Sequence, residues 1–174
     1  MERANRPSTL VLAHLAGACV ALLTLATFWS ATILSELAMD GTGVAHVKRG
    51  IAMGLCVLVP AIVATGATGA RLGGDRRGAL IDKKRRRMRL IALNGAFLLA
   101  PSAILLWWLS RDGVLGRTFY ALQVIELVAG AANVALLGLN FRDGLRMSRS
   151  RQRAAQALAI ARPRSSEAVH RGVA

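Results

Sequence analysis

The chain has 174 residues, about the size of one domain, and combines a 54% hydrophobic composition with a formal net charge of +14. The charges do not recur along the apolar segments, as they do on the outer faces of helices in a water-soluble bundle, so the sequence argues against a soluble fold. They collect between long uncharged runs instead, which predicts an all-α integral membrane four-helix bundle.

Four long runs, uncharged except for Glu126 in the fourth, predict four transmembrane helices. Each run reaches the roughly 20 residues that a helix needs to cross the hydrocarbon core of a bilayer. The first is too long for the apolar region of a cleaved signal peptide, which spans roughly 7–15 residues, so we expect it to remain as a helix. The predicted spans are residues 9–35, 50–70, 90–110 and 118–141. They form a transmembrane domain of residues 1–142, and residues 143–174 form a basic cytoplasmic tail that we expect to be partly disordered.

The first predicted span contains His14, at about the depth of Asn94 in the third span. We treat these two residues as candidate ligand-binding residues for haem b or a quinone. His46 lies at the opposite surface, so a haem at this level would have one axial histidine. The outline of His14 followed by Pro60 in the second span is similar to that of membrane copper-resistance and protoporphyrinogen-oxidising families. Spaced motifs typical of zinc or c-type haem are missing from the sequence, so these two kinds of site lack support and the sequence leaves the metal ligands unknown.

The segment between the second and third spans, residues 71–90, carries nine basic and two acidic residues. Lysine and arginine are retained on the cytoplasmic side during insertion. With the N-terminal segment and the tail, that side has nineteen of the 23 basic residues, whereas the other two connections carry Lys48, Arg49, Arg111 and Arg117. We therefore expect both termini in the cytoplasm, in the inner membrane of a bacterium.

The centre of this basic segment is a candidate topology anchor that also binds anionic lipids of the inner leaflet. It contains Lys83, Lys84, Arg85, Arg86 and Arg87. The segment is short and has no aromatic residue on which a base could stack, so we expect no nucleic-acid partner.

The fourth predicted span contains one acidic residue, Glu126, within a row of polar side chains. Spacings of three, seven and seven residues place the row on one helix face, which must point into the bundle because polar groups are costly in hydrocarbon. The row is Gln123, Glu126, Asn133 and Asn140. It is either an interhelical hydrogen-bond network or the surroundings of a proton-handling carboxyl group. Under the first hypothesis, which we favour, Glu126→Gln is tolerated and Glu126→Leu is destabilising.

Three functions fit this pattern. The first is a non-enzymatic accessory, assembly or interaction component of the inner membrane, associated with a second copy or another membrane protein. The second is a haem- or quinone-binding redox component at His14 and Asn94. The third is a small proton-coupled transporter that uses Glu126 and resembles four-helix multidrug exporters, although exporters that insert in both orientations have nearly balanced loop charge. We favour the first function, and therefore predict no catalytic residues.

Overall fold

The computed structural model describes residues 8–74, 78–113 and 115–161, and these residues are helical apart from short connections. Four of the helical segments are long and apolar enough to cross a membrane. The elements are α1 (Thr9–Ala38), α2 (Gly41–Gly73), α3 (Ala79–Asn94), a π-helical turn (Gly95–Leu99), α4 (Ala100–Ser110) and α5 (Arg117–Ala161).

Helix α2 begins nine residues before the predicted span at residue 50 because Asp40 caps its first turn. The Asp40 carboxylate accepts hydrogen bonds from the backbone N–H of Gly43 at 2.8 Å and from the hydroxyl of Thr42 at 2.7 Å. An aspartate in this position satisfies backbone donors that the helix itself leaves unpaired. At its other end α2 stops at Gly74, which has a positive φ of 44° and donates to the carbonyl of Ala70.

Helices α3 and α4 continue through the π-helical turn as one segment, Ala79–Ser110. The turn ends two residues before Pro101, which has no N–H to donate to the preceding turn. The backbone widens there, so that the N–H of Ala100 donates to the carbonyl of Gly95, five residues back. The π-helix is rare and occurs mostly as single turns inside α-helices.

The two shorter connections, between α1 and α2 and between α4 and α5, lie against each other. A Cβ on Gly41 would overlap the carbonyl oxygen of Gly113, and Gly113 adopts a positive φ of 71° that favours glycine. We call this side of the molecule the hairpin end. The opposite side, where Arg85 of α3 donates to the carbonyl of Gly74 at 2.6 Å, is called the basic end.

Packing divides the chain into two units, Met1–Asn140 and Phe141–Ala174. The first contains the bundle, whose main apolar core includes Leu25, Leu58, Ile91 and Leu137. The described part of the second unit, residues 141–161, is helical and includes the start of the predicted tail. The rest of that tail, for which we predict partial disorder, lies outside the described residues.

The first unit has an apolar exterior and a partly polar interior. Large apolar side chains are strongly exposed on all four long segments, with Leu23 at 66%, Val63 at 64%, Phe97 at 78% and Val128 at 68%. Buried polar residues, by contrast, lie on every one of these segments and include Thr32, Lys48, Ser102 and Asn133. This unit therefore exposes many large apolar side chains and buries many polar ones, whereas a water-soluble helical protein keeps most large apolar side chains inside.

Candidate functional site

Lys48 and Glu126 form an ion pair inside the bundle. The Nζ of Lys48 lies 2.7 Å from the Oε2 of Glu126, and the lysine side chain is 0% exposed. The same ammonium group donates to the hydroxyl oxygen of Thr32 at 3.3 Å. Side chains from α1, α2 and α5 therefore meet at one buried positive charge.

The sequence-based placement of Lys48 in the connection before the second span is wrong. Since α2 already starts at Gly41, Lys48 lies about 10 Å into the helix at 1.5 Å per residue. It falls on the buried face of α2 with Val44, Ile51 and Leu58, at spacings of four, three and seven residues. Arg49, the next residue, points away and is exposed.

The fourth-span row of polar residues is buried along one face of α5. The exposed fractions are 4% for Gln123, 9% for Glu126, 1% for Asn133 and 5% for Asn140. Glu126 pairs with Lys48 rather than with another member of the row. The Oε1 of Gln123 and both amide atoms of Asn140 have no hydrogen-bond partner within the described part of the chain.

Asn94 and Asn133 join α3 to α5 on the basic-end side of the ion pair. The Asn94 amide donates to the Oδ1 of Asn133 and to the carbonyl of Ala129, both at 2.9 Å. Asn133 returns a hydrogen bond to the carbonyl of Ile91 at 3.3 Å. A further contact joins α1 to α5, because the indole N–H of Trp29 donates to the carbonyl of Leu127 at 3.0 Å.

A small cavity of about 40 Å³ lies beside the ion pair, between α1, α2, α4 and α5. Its lining is almost entirely apolar and includes Leu25, Trp29 and Leu99, and Glu126 and Thr32 are also among the lining residues. Leu99 is the last residue of the π-helical turn, so the irregular part of the third segment forms one wall. A cavity of this size has room for one or two water molecules.

His14 and Asn94, the candidate ligand-binding residues, have different hydrogen-bond partners. The Nδ1 of His14 lies 3.1 Å from both the carbonyl of Thr65 and the hydroxyl of Thr68 on α2. Because the Thr68 hydroxyl donates to the carbonyl of Ala64 at 2.6 Å, Nδ1 is the donor in both contacts. The Nε2 of His14 is therefore the nitrogen that could ligate a haem or metal ion.

The predicted lipid anchor lies within α3 rather than in a loop. Lys83, Arg85 and Arg86 are exposed, whereas Lys84 and Arg87 are half-buried. The guanidinium of Arg85 caps the carboxyl-terminal end of α2 through Gly74. This helix therefore presents its positive charge at the basic end.

Comparison with protein-family models, with curated proteins and with solved structures finds no match to this chain.

Proposed function

We propose that this chain is a multi-pass protein of a bacterial inner membrane, with four transmembrane helices and both termini in the cytoplasm. The support for insertion is the exposed apolar exterior of the first unit, which would be unfavourable in water and is favourable in lipid. The support for the orientation is the positive charge of the basic end. With Lys48 buried, Arg49, Arg111 and Arg117 are the basic residues left near the hairpin end, against nineteen in the segments that the sequence assigns to the cytoplasm.

We further propose that the protein acts through association, as an accessory, assembly or interaction component, and not through catalysis. The observation that carries this proposal is that polar side chains of the bundle interior hold helices together. The pairs Lys48–Glu126, Asn94–Asn133 and His14–Thr65 each join two different helices. A bundle fixed in this way presents a defined apolar surface to another membrane protein or to a second copy, while α3 contacts anionic lipids.

Proton-coupled transport is the second candidate, because Glu126 is one of the residues that line the cavity. A carboxyl group within a membrane span is costly, and such groups commonly mark ion pathways.

Haem or quinone binding at His14 is the third candidate. It is supported by the orientation of the His14 ring, because a ligating histidine usually donates its other N–H to an oxygen.

Purification of the full chain in a mild detergent tests these proposals. Under the association proposal, a second membrane protein co-purifies at constant stoichiometry, or the chain runs as a defined oligomer, and the preparation is colourless. A monomer without any partner in several detergents and in lipid nanodiscs would contradict the association proposal. A Soret band that disappears in His14→Ala would support the haem hypothesis instead. Val128→Ala, a change on an exposed face, serves as the control for the spectrum.

A further inference from the structure

Four exposed arginines follow one face of the second unit. They are Arg142, Arg146, Arg149 and Arg153, and we call them the arginine stripe. The described part of this unit is helical, and spacings of four, three and four residues keep side chains on one side of a helix. The stripe covers about 16 Å along the helix axis, since each residue advances the helix by roughly 1.5 Å.

Little acidic charge within the same unit balances the arginine stripe. Asp143 is the one acidic residue of the described part of this unit, and it is only 8% exposed. Its Oδ1 lies 3.7 Å from the Nε of Arg142, whose side chain stays 55% exposed. Arg146, Arg149 and Arg153 form no hydrogen bond or ion pair with another described residue. Their N–H donors are therefore left for another molecule.

Membrane topology explains the number of these arginines but not their arrangement. Retention in the cytoplasm depends on how many lysines and arginines flank a span, and not on the helix face that they occupy. The residue type is also uniform, because every basic residue in the segment 142–174 is an arginine. A guanidinium group binds a carboxylate through two parallel hydrogen bonds, whereas a lysine acts as a point charge.

A second copy of the chain and a lipid surface both fit the arginine stripe poorly. A second copy would bring the same positive face, because the chain has 23 basic and nine acidic residues. Lipid headgroups bind any cluster of basic residues and need no fixed spacing. Helices that lie on a membrane also bury an apolar face, whereas the side opposite the stripe carries Gly144 and Ser148.

We propose that the arginine stripe docks an acidic helix of another protein, whose carboxylates recur at spacings of three and four residues and pair with the guanidinium groups. Ion pairs of this kind between adjacent helices select the partner and its orientation. This inference rests on the proposed association role and names the chemistry of one partner. Association through the apolar surface of the bundle does not need the stripe, so the two proposals can fail separately.

Binding of two defined peptides tests the arginine stripe. The full-length chain is held in nanodiscs of zwitterionic lipid, and each peptide is an alanine-rich helix with four glutamates and a fluorophore. In the matched peptide the glutamates are spaced by four, three and four residues. In the scrambled peptide the same residues are distributed around the helix. Fluorescence anisotropy gives the Kd of each peptide at about 0.1 M salt, where the Debye length is about 10 Å and long-range attraction is screened.

Two variants separate the position of the arginines from their charge. The exchange variant combines Arg146→Ser with Ser148→Arg and Arg149→Ser with Ser150→Arg, so that two arginines leave the stripe at constant net charge. The neutral variant carries Arg146→Gln and Arg149→Gln. All four positions are exposed, so both variants should fold, and circular dichroism checks their helix content.

We expect the unmodified chain to bind the matched peptide at least about tenfold more tightly than the scrambled peptide, because individually weak ion pairs must act together. The exchange variant should lose this preference, and the neutral variant should bind both peptides weakly. Equal binding of the two peptides by the unmodified chain would overturn the proposal, as would a preference that the exchange variant retains. Loss of matched binding in nanodiscs with phosphatidylglycerol would also overturn it, and would identify the anionic leaflet as the occupant.

Discussion

Lys48 brings a positive charge into an interface between helices, and Glu126 is the carboxylate that compensates it. Removing both charges from a buried site is often neutral or even stabilising, whereas removing one leaves the other unpaired and costs about 3–5 kcal/mol. The ion pair therefore changes the expectation drawn from the sequence for Glu126→Gln. Glutamine matches the shape of glutamate, but it leaves the Lys48 ammonium group, which is 0% exposed, without a counter-charge.

We predict that Glu126→Gln lowers the free energy of unfolding by about 3–5 kcal/mol and markedly reduces the melting temperature in detergent. The double variant Lys48→Met with Glu126→Leu should recover most of that loss because neither charge remains buried. Arg49→Gln, the exposed neighbour, is the matched control and should behave like the unmodified chain. A Glu126→Gln variant as stable as the unmodified chain would show that the ion pair contributes nothing to stability.

The carboxylate at 126 and its need for a partner follow from the sequence, but the partner does not. The apolar face of α2 offers a signal, since Lys48 shares the spacing of Val44, Ile51 and Leu58. Which charge reaches Glu126 depends on how α2 packs against α5, and no local pattern encodes that packing. The same limit applies to Asn94, whose partner Asn133 lies 39 residues away.

At the scale of the elements, the four helical segments follow from the uncharged runs, but their ends do not. Lysine and arginine are good helix formers, so α3 starts at Ala79 within the basic segment and continues into the apolar run. Helix α2 likewise begins where a cap is present and not where charge ends. A hydropathy pattern marks the membrane-crossing part of a helix and leaves its polar extensions unmarked.

The cap of α2 gives a prediction about pH. Hydrogen bonds from the backbone N–H of Gly43 and from the Thr42 hydroxyl hold the pKa of Asp40 below its ordinary value of 3.8. A depressed carboxyl pKa stabilises the folded state above the unfolded pKa, and this contribution is lost as the pH falls through the lower folded value. We therefore expect the start of α2 to lose stability when the pH drops below about 4.

Asp40→Asn isolates this contribution, because asparagine also caps a helix but does not titrate in this range. Melting temperatures in detergent are measured from pH 7 down to pH 3 for both proteins. The decrease on acidification should be larger for the unmodified chain than for Asp40→Asn, since the other carboxylates are common to both. Asp40→Ala should be less stable at every pH. Parallel curves for the unmodified chain and Asp40→Asn would refute the role of this carboxylate in the pH response.

At the scale of the whole molecule, the contact of Gly41 with Gly113 fixes a constraint on topology. Because these two connections lie side by side, they must be on the same side of any membrane that the helices cross. Insertion that leaves one connection in the cytoplasm would have to break this contact. The balance of basic residues then decides which side that is, and each lysine or arginine near an anionic surface contributes about 1 kcal/mol.

We predict that reporters inserted near Gly78 or fused after Ala174 are cytoplasmic, and that reporters near Gly41 and Gly113 are both extracytoplasmic.

Replacing Lys83, Lys84, Arg85, Arg86 and Arg87 by glutamine should weaken inner-leaflet lipid contact and reduce the fraction of correctly oriented molecules, because the charge that resists translocation is removed. A second variant that keeps Arg85 retains the bond to Gly74 and separates loss of charge from loss of the α2 cap. Glutamine at Arg49, Arg111 and Arg117 is the control and should leave the orientation unchanged. Oppositely located reporters at Gly41 and Gly113 would contradict the packing of the hairpin end itself, whereas an unchanged orientation in both basic-end variants would contradict only the role of α3 as the anchor.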